Sequence, residues 1–189
     1  MTTTYDAPHD EIERPPSKVA RVGLGVVVVA MIGMWAWIYI WAPRDNPDRL
    51  TNRAYPEAVE PSCAAFQAEI DELPFFDTST TIGEKTAQVA RATELTEELV
   101  ATLEAEAASR TFDDPDDSRL LGLWFADWNA YLADRHAYLQ LLRDAPADTP
   151  RNELSFTLTE RSSGGFYTRT IEGFANVNDM SSCRVPTDI

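Results

Sequence analysis

From Val22 to Ala42 the chain reads VGLGVVVVAMIGMWAWIYIWA, with no charged residue. An α-helix rises about 1.5 Å per residue, so a run of this length crosses the roughly 30 Å hydrocarbon core of a bilayer. Arg21 closes it on one side, and Pro43 and Arg44 close it on the other. Trp35, Trp37, Tyr39 and Trp41 gather at its C-terminal end, where rings with one polar tip suit the headgroup boundary. A cleaved signal peptide would have a shorter apolar stretch and small residues at an A-x-A-like cleavage site, so this segment is expected to stay attached. The pattern places a transmembrane anchor at residues 19–42, meeting the lipid bilayer through residues 22–42. Gly23, Gly25, Ala30, Gly33 and Ala36 never fall four apart, and no G-x-x-x-G seam is visible.

Beyond the anchor, apolar residues return at helical intervals. Pro61 or Ser62 opens a segment in which Cys63, Phe66, Ile70 and Leu73 recur three and four apart, closed by Pro74. Thr81 and Glu84 have the form of a capping box, in which each side chain satisfies the other's backbone amide. Val89, Ala92, Thr96, Leu99 and Leu103 then carry a helix to about Ser109. A third start lies at Asp114-Pro115-Asp116-Asp117. Asp is a good N-cap, Pro suits the first helical position, and acids in the first turn complement the helix dipole. Leu121, Trp124, Trp128, Tyr131, Arg135, Tyr138 and Leu142 follow on one face, ending before Pro146. Three helices joined by short connections predict an up-down three-helix bundle.

The tail has a different rhythm. Leu154, Phe156 and Leu158 alternate with polar residues, Ser162-Ser163-Gly164-Gly165 offers a turn, and Phe166 to Thr170 is aromatic and β-branched. This pattern predicts a β-hairpin. Ile171, Phe174 and Ala175 suggest a short final helix before Cys183. The fold expected is therefore mainly α: a single transmembrane helix, the bundle, a C-terminal β-hairpin and a short helix. Residues 1–18, polar and with three prolines, read as a disordered cytoplasmic tail. Residues 43–60, rich in Pro, Asn, Asp and Arg, read as a tether. Residues 61–189 make the extracytoplasmic helical domain.

Charge adds a constraint. The chain carries 31 Asp and Glu against 16 Lys and Arg. Residues 1–53 are balanced, so the whole deficit of 15 falls on the remainder. Such a domain repels phosphate backbones and anionic headgroups, and nucleic-acid binding is not expected. An acidic surface more simply keeps a domain soluble. Orientation is less sharply encoded, because Arg14, Lys18 and Arg21 before the span are matched by Arg44, Arg49 and Arg53 after it. The closer spacing of the first group, the free amino terminus and the placement of both cysteines beyond the span favour the N-terminus inside and the domain outside. The expected location is the cytoplasmic membrane.

Candidate chemistry is sparse. Cys63 and Cys183 lie too far apart in sequence for a C-x-x-C redox pair, and two cysteines cannot supply a four-ligand zinc site, so a structural disulfide is expected. Asp113, Asp114, Asp116 and Asp117 lack the central Gly and terminal Glu of a calcium loop, and helix capping accounts for them. The stripe Trp124, Trp128, Tyr131, Arg135 and Tyr138 reads either as core or as a contact face for a ligand or partner. Within it, Arg135 could pair with Asp127 or Asp134, stack on a ring, or reach solvent along its apolar stem. His136 is the only histidine of the domain and has no nearby second ligand. No G-x-S-x-G elbow or phosphate-binding glycine loop occurs, and nothing marks one carboxylate pair as desolvated. No catalytic residue, cofactor or metal site is assigned, and the chain is not expected to be an enzyme.

The pattern Trp124-x3-Trp128-x2-Tyr131-x2-Asp134-Arg135-x2-Tyr138, joined to Phe174-Ala175-x2-Asn178-x-Met180-x2-Cys183, resembles that of small single-pass envelope proteins of high-GC Gram-positive bacteria. The resemblance covers roughly residues 60–186. It implies a bacterial cell-envelope setting and a helical domain, in a group with no known activity and no catalytic residues to carry over. The expected function is that of a membrane-anchored interaction or structural protein, with another envelope protein as partner. The alternative is a ligand-binding sensor that uses the aromatic helix 120–142.

Overall fold

In the computed structural model, residues 18–41, 46–74, 81–150, 153–161 and 164–187 are described, and the chain divides into two units, Met1–Asp45 and Asn46–Ile189. The first unit contributes α1, Lys18–Trp41. Its stretch Val22–Trp41 is long and apolar enough to cross a membrane. The rings of Trp37 and Trp41, four residues apart on one face, stack with centroids 5.5 Å apart. Of the expected tail, residues 1–17 lie outside the described residues, as do residues 42–45 of the anchor end and tether.

The second unit is built from α2 (Ala54–Asp71), α3 (Ile82–Ala108), α4 (Pro115–Asp144) and α5 (Tyr167–Val177). α3 packs against both α2 and α4, and α5 packs against α4. The protein is mainly helical, and no strand forms among the described residues.

α2 corrects the sequence expectation. It starts at Ala54, inside the stretch read as tether, and runs through Pro61. Tyr55, Val59, Cys63, Phe66 and Ile70 are all buried, at helical spacings that extend the expected pattern by two turns. Pro56 falls in the first turn, where a missing N–H costs nothing. Pro61 costs one mid-helix hydrogen bond, which the continuous buried face offsets. Residues 46–60 of the stretch read as tether belong to the second unit.

α3 and α4 begin where their caps indicate. Thr81 Oγ1 accepts from Glu84 N at 3.2 Å, and Glu84 Oε2 accepts from Thr81 N at 2.8 Å. Asp114 Oδ1 accepts from Asp116 N at 2.9 Å, with Pro115 at the first helical position. Val89, Ala92, Leu99 and Leu103 of α3 and Leu121, Trp124, Trp128, Tyr131 and Leu142 of α4 are buried, as their spacing requires. The core joins all four helices, with Leu50, Met180 and the two cysteines included. A smaller cluster of Val89, Tyr138, Leu139, Leu142 and Leu154 seals the far end of α4.

The expected hairpin does not form. Gly164 and Gly165 do turn the chain, at φ of 85° and 80° that only glycine adopts freely. A single antiparallel bridge joins Glu160 to Phe166 across that turn. Tyr167 to Thr170 then enter the first turn of α5. Tyr167, Ile171, Phe174 and Ala175 share its buried face, and this 3.6-residue spacing outweighs the β-branched composition of the segment. Leu154, Phe156 and Leu158 run without helix or strand and lay their side chains on the core.

The two ends of the unit are fastened together. Cys63 and Cys183 form a disulfide across 120 positions, with Cα atoms 4.9 Å apart. Leu50 N donates to Asn178 Oδ1 at 2.7 Å, and Asn178 Nδ2 donates to the carbonyls of Asp48 and Phe174, both at 2.9 Å. Asp179 adopts a left-handed backbone at φ 61°, a conformation Asp tolerates, and its carboxylate accepts from Arg49 and Arg53. Asp117, expected only as a first-turn acid, is buried and accepts from Thr51 N at 2.8 Å and Asn52 N at 2.9 Å. It thereby holds the entry to α2.

Candidate functional site

The aromatic stripe of α4 lies in the interior. Trp128, Tyr131, Arg135 and Tyr138 are all buried, and Arg135 is fully so. The rings meet edge to face, with centroids 6.2 Å apart for Trp124 and Trp128 and 6.1 Å for Trp128 and Tyr131. Tyr131 then meets Phe156 and Tyr167 edge-on. The Tyr138 hydroxyl donates to Leu154 O at 3.1 Å, and Trp124 Nε1 donates to Ile171 O at 3.2 Å. The Trp128 indole N–H is buried and meets no acceptor among the described residues.

Arg135 does not extend to solvent. Its Nε donates to Thr93 Oγ1 at 3.1 Å and its Nη1 to Tyr131 Oη at 2.9 Å, while its guanidinium carbon lies 5.5 Å from the Tyr131 ring centre. It thus bridges α4 to α3. The two acids suggested as its partners bond elsewhere. Asp127 accepts from Arg161 Nη1 at 3.2 Å, and Asp134 accepts from Thr159 N at 2.6 Å and from the Tyr167 hydroxyl. These contacts pin the extended segment and the start of α5 to α4. The spacing of Asp127 and Asp134 gave no sign of this, because all three partners lie in a segment read as hairpin.

His136 faces outward and bonds Glu97 through Nε2 at 2.7 Å, a second tie between α3 and α4. Glu84 and Tyr55 have displaced acidities. The Thr81 backbone and side-chain donors hold the Glu84 carboxyl below the ordinary carboxylate range. Burial, followed by the nearby Glu106 carboxylate, pushes the Tyr55 phenol well above its ordinary value. Tyr55 sits in the core and donates to Leu103 O at 3.2 Å, so its shift reports packing.

Open space lies outside the stripe. One cavity, of about 700 Å³, is framed by α2, α5 and the segment after Cys183, with Gln67, Asp71, Glu172 and Arg184 in its walls. A smaller groove of about 190 Å³ runs between α4 and α5, floored by Leu120, Trp124 and Phe174 and edged by Arg161 and Arg169. Trp124 alone of the five stripe residues reaches it. Leu123 beside it is half exposed, at 51 %. A third depression of about 220 Å³ separates α2 from α3 near Phe66 and Leu99.

Most residues around this cavity escaped the sequence reading because they are small or polar and lie outside the apolar stripes, on exposed helix faces or in the segment after α5. Ala175 alone among them was read from the sequence, as part of the short final helix. Among the described residues, no group of three His, Cys, Asp or Glu side chains is gathered for a metal. No protein-family model, curated protein or solved structure matches the chain.

Proposed function

We propose that the chain is a membrane-anchored interaction or structural protein of a bacterial cell envelope, with its second unit outside the cytoplasm and its N-terminus within. The observation that carries this reading is α1, a single N-terminal helix with an uninterrupted apolar surface over Val22–Trp41. Surface of that extent is stable in water only when covered, and a bilayer covers it. The disulfide supports an oxidising side for the second unit. The burial of the α4 stripe supports a scaffold role for it, with contact chemistry placed on the surface. We read α2, α3 and α4 as an up-down three-helix bundle, supported by α3 packing on both neighbours.

Two measurements test the assignment. After an alkaline carbonate wash, the chain should stay with the membrane pellet. Protease confined to the cytosolic side should leave the second unit intact. Release by carbonate, or digestion of the second unit from the cytosolic side, removes the proposal. Cross-linking in native membranes should then capture a neighbouring envelope protein.

The second reading, a sensor that uses helix 120–142, draws its support from Trp124 at the floor of the α4–α5 groove. A ligand there would quench Trp124 fluorescence and leave folding unchanged.

A further inference from the structure

The cavity between α2 and α5 has one-sided chemistry. Ala64, Ala68 and Ala175 present only methyl groups, and the space of about 700 Å³ stays open above them. That volume falls within the range of ligand-holding pockets, about 300–1,000 Å³. Gln67 in its wall keeps only 9 % of its surface exposed. Both amide hydrogens are committed, to Ser182 O at 3.2 Å and Arg184 O at 2.8 Å. The amide plane is therefore fixed, and its carbonyl oxygen, without a donor among the described residues, is what Gln67 offers the cavity. The cavity opens to solvent on one side, so an occupant entering from there can bring an N–H or O–H to that oxygen.

Two carboxylates stand beside it. Asp71 ends α2 and Glu172 projects from α5, and neither is in a hydrogen bond or ion pair among the described residues. Arg184 is the one cation of the lining among the described residues. Carboxylates outnumber cations among the described residues of the lining, and the unit around them carries nearly all of the chain's negative excess. Anions are repelled from such a wall, while a flexible cation meets three acceptors and a methyl floor that suits an aliphatic stem.

We infer that this cavity docks a basic segment of a partner protein, holding a lysine or arginine side chain against Gln67 Oε1, Asp71 and Glu172. The inference rests on the interaction reading above and names the chemistry of the partner.

The probe is hexalysine, titrated calorimetrically into the full chain in zwitterionic lipid nanodiscs at about 0.15 M salt, where distant charges are largely screened. Hexalysine should bind, and the side-chain amide resonances of Gln67 should shift as it does. The pair Asp71→Asn and Glu172→Gln should weaken binding about tenfold or more, and the pair Glu57→Gln and Asp113→Asn, which removes the same charge elsewhere, should change it about twofold or less. Equal weakening by both pairs reduces the effect to general attraction and overturns the inference. So does a failure of hexalysine to bind the unmodified chain, or a Gln67 amide that does not move. Should hexalysine fail while cross-linking still captures a neighbour, this inference falls and the interaction role stands.

Discussion

Leu50 and Asn178 stand 128 positions apart and share a buried 2.7 Å hydrogen bond, so the start and end of the second unit are joined at a point closed to water. The same Asn178 amide donates to two backbone carbonyls, one on each side of the junction. Asn178→Ala strands the Leu50 N–H and the Asp48 carbonyl together. We expect a loss of about 2–4 kcal/mol in urea unfolding. Asn178→Asp keeps the bond to Leu50 but sets a carboxylate against two carbonyl oxygens, and should be no better tolerated at neutral pH.

The disulfide closes a loop of 120 positions in sequence. On chain-entropy grounds, such a cross-link contributes up to about 5 kcal/mol, with strain and residual structure reducing the figure. Replacing both cysteines by alanine should cost about 2–5 kcal/mol. The oxidised native chain should migrate faster than the reduced one on a denaturing gel. Free-thiol labelling of both positions in the native protein contradicts the bond.

Trp128 is wholly buried, yet its indole N–H has no acceptor among the described residues. Trp128→Ala should cost about 3–5 kcal/mol, mostly through the cavity left behind. Trp128→Phe retains a ring and gives up no hydrogen bond, so its cost should stay below about 2 kcal/mol. Trp124→Phe gives up the bond to Ile171 O and should add roughly 1 kcal/mol beyond its own packing loss. Thermal melts of the three variants rank these terms.

The capping box of α3 makes a pH-dependent contribution. The Glu84 carboxyl titrates below its ordinary range because the Thr81 donors favour its charged form. A depressed folded-state pKa stabilises above the unfolded value, and that stability is lost as pH falls through the folded one. NMR titration should place the Glu84 midpoint below the ordinary value of a glutamate side chain. In Thr81→Ala the side-chain donor is lost and the Glu84 midpoint should rise. An unchanged midpoint contradicts a contribution from the Thr81 hydroxyl and leaves the Thr81 backbone N–H as the cause.

Legibility followed the kind of signal each element carried. α3 and α4 were readable because their starts depend on local chemistry: a Thr–Glu pair in one, Asp followed by Pro in the other. α2 was cut short because Pro56 and Pro61 suggest a break, and only the burial of Tyr55 and Val59 shows the helix running through. α5 was partly misread for the opposite reason. Its first residues favour strands, and the face that makes them helical exists only against α4. Cys63 and Cys183 could be paired by elimination, but Asp117 and Asn178 could not be foreseen. Their partners are backbone groups more than 60 positions away, and sequence spacing holds no trace of such bonds.

The covalent closure near both ends also governs how the unit responds to force. Tension applied between Asn46 and Thr187 travels from Asn46 to Cys63, across the sulfur bridge, and on from Cys183 to Thr187. Only these flanking stretches can be drawn out, to about 70 Å when fully extended. α3, α4 and α5 lie inside the closed loop and bear none of that load. In an oxidising medium, a pull between these two ends would unravel the clasp and the first turns of α2 while the interior stays folded. Reduction would expose the whole unit to mechanical unfolding.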